Sequence, residues 1–318
     1  MPESQHPGDV SVLLVAEEAA GVRALRAIAA TRHRIVGVVT SEHPRARRGT
    51  TVRGAAEQLG CSIWPAGVVH DPAFAAVVRA AGVDVLLNVH SLHLIHPAVL
   101  AAPAIGSFNL HPGPLPEYSG LNSPSWAIYN GESCHATTLH WMAPEIDSGP
   151  IAYREDIATK ENDTGLSLSA KCVRTGLPML LRLLNVAGND PAGIPRMPQD
   201  PSLRRYYGRE VPENGRLRWL QPARSIERFV RACDYFPWQS PWGHPRARLG
   251  DQSLRILKAF CSARLCMALA GTVGDVAGAI AFVAAADAWI GISRIEISGH
   301  VVNAAEVLKP GVRLEDGR

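Results

Sequence analysis

The chain has six cysteines (Cys61, Cys134, Cys172, Cys233, Cys261 and Cys266), and no two of them form a Cys-x-x-Cys pair. That absence excludes zinc ribbons and fingers, and scattered thiols fit a reducing compartment. Glycine-rich phosphate loops are also missing. The first strand-to-helix junction reads LLVAEEAAGVRAL, without the GxGxxG turn that lets a backbone approach a pyrophosphate. A dinucleotide cofactor is therefore disfavoured. Neither a GxxxxGK[ST] loop nor a GxSxG nucleophile elbow occurs, which removes phosphate-loop and serine-hydrolase chemistry. The most apolar stretch, residues 267–292, is broken by Asp275, Asp287 and four glycines. It reads as buried strands, not as a membrane span. The polar start, MPESQHPGD, reads as carrying no signal peptide, and the expected location is the cytoplasm.

At ~100–200 residues per domain, 318 residues suggest two domains. With 47% apolar and 19% charged residues, sizeable cores are expected and global disorder is not. The net charge of +3 is unevenly placed. Residues 1–202 hold 15 Lys and Arg against 18 Asp and Glu, whereas residues 203–264 hold 13 against 5. A basic segment thus follows an acidic body. It is either a solvated face or a grip for an anionic carrier, nucleotide or RNA.

Apolar strands at residues 10–16, 34–40, 62–64, 83–89 and 105–110 alternate with helical patterns at 19–30, 51–59 and 72–81. This predicts an α/β domain with a Rossmann-like, mainly parallel sheet. A long helix is expected over 164–184, and the Pro- and Gly-rich residues 185–201 read as a linker. Beyond it, strands are expected at 216–220, 255–259, 271–276, 279–284 and 289–297, with a helix at 225–232. That makes a small β-rich C-terminal domain. The expected division is 1–190 and 203–318.

The polar information is densest between His90 and Pro150. The strand at 105–110 runs into NLHPGPLPEYSGLN, and Asn109 and His111, two residues apart, face one side of it. Four prolines and glycines then hold the loop extended. Further on, ATTLHWM reads as a strand leading to APEIDSGPI, which carries Asp147. An amide, an imidazole and a carboxylate could converge where strands of an open sheet end, the usual place for a ligand. The amide and a protonated imidazole can stabilise an oxyanion, and the carboxylate can hold the imidazole charged. No Ser or Cys nucleophile stands out, so direct transfer to an incoming nucleophile fits better than an acyl-enzyme. His90, His93 and His96 repeat every third residue but lack an acidic or Cys companion, so no metal is expected. His140 reads as a pocket wall, and Trp238 and Trp242 as packing.

FNLHPGPLPEYSGLN and TTLHWMAPEIDSGPI resemble the folate-dependent formyltransferase family, whose members include methionyl-tRNA formyltransferase and small-amine N-formyltransferases. The family pattern is N-x-H-P, a Pro-rich loop with Gly, then D-[STA]-G-[PDA]. Asn109, His111, Pro112, Gly120, Asp147 and Gly149 match it. The resemblance covers residues 10–184 as the transferase domain and, more weakly, an OB-like C-terminal domain. It implies Asn109, His111 and Asp147 as the catalytic trio and 10-formyltetrahydrofolate as co-substrate. The pterin would lie against Leu92, His93, Leu94 and Ile95, and against Ala143, Pro144 and Glu145.

The implied function is formyl transfer to a small amine acceptor, first a hydroxyornithine of siderophore assembly or another amine of secondary metabolism. A nucleotide-linked amino sugar ranks second and methionyl-tRNA third. The basic insertion of the tRNA enzymes is shortened here to SEHPRARRGTTVRG, with Arg45, Arg47, Arg48 and Arg53. The stretch GLNSPSWAIYNGE looks like that of the small-amine members. A folate- or RNA-binding module without turnover is the competing class. No membrane is implied, and the oligomeric state is open.

Overall fold

The computed structural model describes residues 8–42 and 49–317, so Arg45, Arg47 and Arg48 lie outside the described residues. The chain forms two compact units: residues 1–120, 136–157 and 171–206, and residues 121–135, 158–170 and 207–318.

The strands that build the first unit are β1 (Ser11–Ala16), β2 (Arg34–Thr40), β3 (Ile63–Pro65), β4 (Val85–Val89), β5 (Gly106–His111), the two-residue β6 (Ser119–Gly120), β7 (Cys134–Trp141) and β8 (Ile151–Ala158). Its main sheet has the order β3-β2-β1-β4-β5-β7-β8. The pairs from β3 to β5 are parallel, and β5–β7 is antiparallel. Every residue of β1 and β4 is buried, as expected of parallel strands covered on both faces. One face carries Leu14, Val85, Leu87 and Phe108 against α1 (Glu18–Ala29), α2 (Val52–Gln58) and the C-terminal part of α6 (Gly165–Asn189). The other carries Leu13, Val15 and Leu86 against α3 (Phe74–Ala80) and α4 (Pro97–Leu100). At the first strand–helix turn, Glu17 accepts from the Ser41 N–H and hydroxyl, each at 2.7 Å. An acid thus stands where dinucleotide folds place glycine.

The second unit is an antiparallel half-barrel. After the short β9 (Tyr206–Tyr207), its strands are β10 (Arg246–Leu249), β11 (Gln252–Leu265), β12 (Val273–Ala277), β13 (Ile280–Ala284), β14 (Ala288–Ile297), β15 (His300–Asn303) and β16 (Glu315–Asp316). The order is β12-β13-β14-β11-β10-β16, with β15 on β14. Leu254, Ile256, Ile290 and Ile292 close its core over α7 (Ala223–Ala232). Within the same unit α5 (Ser123–Asn130) packs on α7, with the Tyr129 and Phe229 rings edge to face at 5.4 Å. Residues 267–292 contain β12, β13 and the first half of β14. No helix among the described residues is long and apolar enough to cross a membrane.

Two local expectations change. α6 continues to Asn189, five residues past the expected end. Residues 216–220 form no strand; only Arg216 makes an isolated bridge, to Arg246. The Trp219 N–H bonds the side-chain carboxylate of Asp316 at 2.9 Å instead of a main-chain carbonyl of a ladder, and Pro222 ends the segment.

Candidate active site

Asn109 and His111 occupy alternate positions at the carboxyl end of β5, so both side chains leave the same face. The antiparallel register sets His140 of β7 opposite Asn109. Asp147 sits in the loop after β7 with φ +52, the left-handed region that Asp tolerates better than most residues. Two side chains hold this loop. Gln199 Nε2 donates to the Asp147 and Gly149 carbonyls at 2.9 and 2.7 Å, and Arg204 donates to the Ile146 carbonyl at 2.7 Å. Gly149 is required for closeness, since a Cβ there would stand 1.9 Å from the Trp141 carbonyl oxygen.

The three residues named from the sequence meet. Asn109 Nδ2 donates to Asp147 Oδ1 at 3.2 Å, and His111 Nδ1 stands 3.5 Å from Asp147 Oδ2. His111 Nε2 donates to the Tyr118 carbonyl at 2.7 Å, which fixes its proton on that nitrogen. Gly120 adds its backbone N–H to Asp147 Oδ2 at 2.8 Å. Burial alone would raise the Asp147 pKa. His111, His140 and the Gly120 N–H outweigh it and hold the carboxyl well below the ordinary range. For His111, burial lowers the pKa and the Asp147 carboxylate opposes that fall. The site therefore holds an ionised, water-poor carboxylate between an amide and two imidazoles.

His140 and Asn88 belong to this cluster, although the sequence made His140 a wall and passed over Asn88. His140 Nδ1 donates to the Trp141 carbonyl at 2.8 Å. Its Nε2 then faces Asn109 Nδ2 at 3.1 Å and Asp147 Oδ1 at 3.4 Å. Asn88 Nδ2 donates to Asn109 Oδ1 at 3.0 Å. The signal for both was register: each lies directly across from Asn109 on a neighbouring strand.

Leu92, His93, Leu94 and Ile95 lie in the loop after β4, with Leu92 and Leu94 exposed and Ile95 buried. Ala143, Pro144 and Glu145 lie in the loop after β7, beside the exposed Ile146. Both loops are tied to Asn109, one through Asn88 and the other through Asp147. The three histidines of the repeat go separate ways. His90 approaches Glu18 at 3.6 Å, His93 meets His70 at 3.3 Å, and His96 accepts the Ala98 N–H to cap α4. Of the six thiols, Cys172, Cys233 and Cys266 are buried, Cys61 and Cys261 are intermediate, and Cys134 is exposed. Burial pushes the Cys172 thiol up to about 12.

Eight of the thirteen basic residues of the segment 203–264 are ion-paired. Arg204, Arg218, Arg224, Arg231, Arg248, Arg255, Lys258 and Arg264 each have a carboxylate within 4.0 Å. Arg205, Arg209, Arg216, Arg228 and Arg246 carry the rest of the segment's positive charge.

Among solved structures, WlaRD, a sugar 3N-formyl transferase crystallised with dTDP and 5-N-formyl-THF, superposes with a TM-score of 0.68 at 15% identity. The match covers 91% of this chain and 98% of that one. The N-formyltransferase of Helicobacter canadensis, in complex with folinic acid and dTDP-3-aminofucose, gives 0.68 at 14%, covering 89% and 98%. HypX of Aquifex aeolicus with tetrahydrofolic acid gives 0.62 at 15% over 93% of this chain, which spans about half of HypX (46%). At such identities these likenesses establish the fold. The family models reach further: formyl transferase matches residues 4–184 and formyl transferase, C-terminal domain, matches residues 211–310. The first match takes in every residue of the Asn109–His111–Asp147 cluster, and by it this chain belongs to the formyl transferase family.

Proposed function

We propose that the chain is a folate-dependent N-formyltransferase, which takes a formyl group from 10-formyltetrahydrofolate and gives it to a small amine. The observation that carries this reading is the buried, ionised Asp147 within reach of Asn109 and His111. A flat pterin needs apolar walls beside exposed backbone. The residues present fit that need, and Leu92, His93, Leu94 and Ile95, with Ala143, Pro144 and Glu145, would hold it. Residues 1–190 would act as the catalytic domain and 203–318 as the OB-like one, in the cytoplasm.

The donor supplies an activated formyl carbon. Asp147 accepts the proton that the attacking amine must lose. Its low pKa makes it a relay more than a store for that proton. Asn109 Nδ2 faces the negative charge that develops on the formyl oxygen. One well-placed donor of this kind is worth ~2.7–4 kcal/mol. His111, anchored through Nε2 on the Tyr118 carbonyl, holds its Nδ1 toward Asp147 Oδ2 and helps orient the carboxylate.

The two sugar-enzyme neighbours cover 98% of their own length with this chain, which supports a nucleotide-linked amino sugar as acceptor alongside hydroxyornithine. The test is release of tetrahydrofolate by the purified chain with 10-formyltetrahydrofolate and an acceptor panel. The panel contains nucleotide-linked amino sugars, hydroxyornithine, other secondary-metabolite amines and methionyl-tRNA. Amine-dependent release with a formamide product is expected. Donor binding without turnover for any amine would make the chain a folate-binding module instead.

A further inference from the structure

We propose that Asn88 is a positioning residue that sets which end of the Asn109 amide faces Asp147, an inference that rests on the formyl-transfer reading of that cluster. Asn88 is the fourth residue of β4, is 7% exposed, and lies opposite Asn109 in the parallel β4–β5 register. Its Nδ2 has two acceptors, Asn109 Oδ1 at 3.0 Å and the Ser91 carbonyl at 3.3 Å. A main-chain carbonyl can only accept, so Ser91 orients the Asn88 amide with its NH2 toward both oxygens. The orientation has a cost. Asn88 Oδ1 is left buried without a hydrogen-bond partner among the described residues. Such a group needs a reason to persist.

The reason lies one residue further on. Once Asn88 donates, Asn109 must present its oxygen to Asn88 and its NH2 to the other side. There the NH2 meets Asp147 Oδ1 at 3.2 Å and His140 Nε2 at 3.1 Å. His140 cannot set this orientation alone, because an imidazole nitrogen either donates or accepts with its protonation state. Asn88 has no such freedom, since the Ser91 carbonyl fixes it. Asn88 thus donates to both Ser91 and Asn109, and Asn109 donates onward to Asp147. This arrangement delivers N–H groups, and not a carbonyl oxygen, to the place where negative charge develops.

Three variants separate orientation from packing. Asn88→Leu removes the donor to Asn109 Oδ1 and leaves the Asp147 carboxylate alone to direct the Asn109 amide. Asn88→Asp offers a carboxylate, which draws the Asn109 NH2 toward itself and turns its oxygen to Asp147. Asn88→Ser keeps a donor. The expected loss of kcat is about 100-fold for Asn88→Asp, in the range of a lost oxyanion donor. It is smaller for Asn88→Leu and smallest for Asn88→Ser, with KM for the folate donor within about threefold. A protonated carboxyl donates as an amide does, so the Asn88→Asp deficit relative to wild type should narrow as pH falls, while the Asn88→Leu deficit stays flat. A merely structural role predicts losses that follow Tm and ignore pH, and that outcome overturns the proposal. The side-chain amide signals of Asn109 in a ¹H–¹⁵N spectrum, identified by their loss in Asn109→Ser, give a readout independent of turnover. They should move in Asn88→Asp and Asn88→Leu, and unmoved signals refute the role of Asn88. If wild type transfers no formyl group, the functional reading fails while the amide spectrum still decides the role of Asn88.

Discussion

Gly120 and Asp147, 27 positions apart in the chain, are joined by a hydrogen bond of 2.8 Å from the glycine N–H to Oδ2. Gly120 has φ +96, a conformation that L side chains rarely adopt. The glycine that ends the Pro-rich loop therefore aims a main-chain donor at the carboxylate. The two sequence motifs, far apart in the chain, make one site.

Asp147→Asn keeps the shape and removes the charge. We expect a folded protein with turnover lower by about 100-fold or more, because His111 loses its partner and the amine proton its acceptor. Circular dichroism with single-turnover kinetics checks this, and a near-normal kcat would remove Asp147 from the chemistry.

Gly149→Ala should be as harmful as a change at the carboxylate. The added methyl meets the Trp141 carbonyl oxygen at 1.9 Å, so the loop must move and carry Asp147 with it. Overpacking of this kind costs about 1–3 kcal/mol. Both the urea midpoint and kcat are expected to fall; an unchanged midpoint would show that the loop has room.

Arg204→Leu should lower kcat by about tenfold while leaving the Arg205→Leu control near wild type. Arg204 grips the Ile146 carbonyl and reaches the Ser119 hydroxyl at 3.2 Å, with its side chain 20% exposed. An oriented, charge-assisted donor of that kind is worth roughly 1.5–3 kcal/mol. Equal kcat values in the two variants would return Arg204 to the solvated surface.

The stability of the chain should rise with pH between about pH 5 and pH 7. Burial lowers the pKa of His33, His111 and His244 from the ordinary 6.5. Below that value the unfolded chain binds more protons than the folded one, so acid favours unfolding. Asp147, also lowered, adds its loss only below about pH 4, where unfolded carboxylates begin to protonate. Urea midpoints across this range test the sign, and His244→Gln should flatten the slope.

Methionyl-tRNA should bind weakly. Eight of the segment's thirteen basic residues are already ion-paired, so fewer than half are without a carboxylate partner among the described residues. A polyanion grip would give a log–log salt slope of about −0.7 to −0.9 per phosphate contacted. Filter binding at two salt concentrations distinguishes the cases, and submicromolar, steeply salt-dependent binding would restore the tRNA reading.

The parallel core was legible because β1 and β4 are apolar throughout, and the meeting of Asn109, His111 and Asp147 because spacing and strand ends already implied it. The antiparallel placement of β7 was not legible, since pairing direction depends on where residues 112–133 lead the chain. That placement sets His140 beside Asn109, so His140 could not be told from a wall. Helix α5 was hidden by Pro124 near its start and by Asn130 and Gly131 at its end. The pairing of the basic segment was hidden because carboxylates such as Glu161 and Glu296 lie far from their arginines in sequence.

The second unit is assembled from three stretches of chain, two of them taken from before residue 171. One cut at the Pro-rich segment cannot release it whole. A fragment starting at residue 203 would leave α5 behind, stripping Tyr129 from Phe229 and Ser125 from the Ala232 carbonyl it bonds at 2.9 Å. Chimeras that exchange C-terminal halves between relatives would therefore inherit a mismatched helix, and successful grafts would have to carry residues 121–135 and 158–170 along.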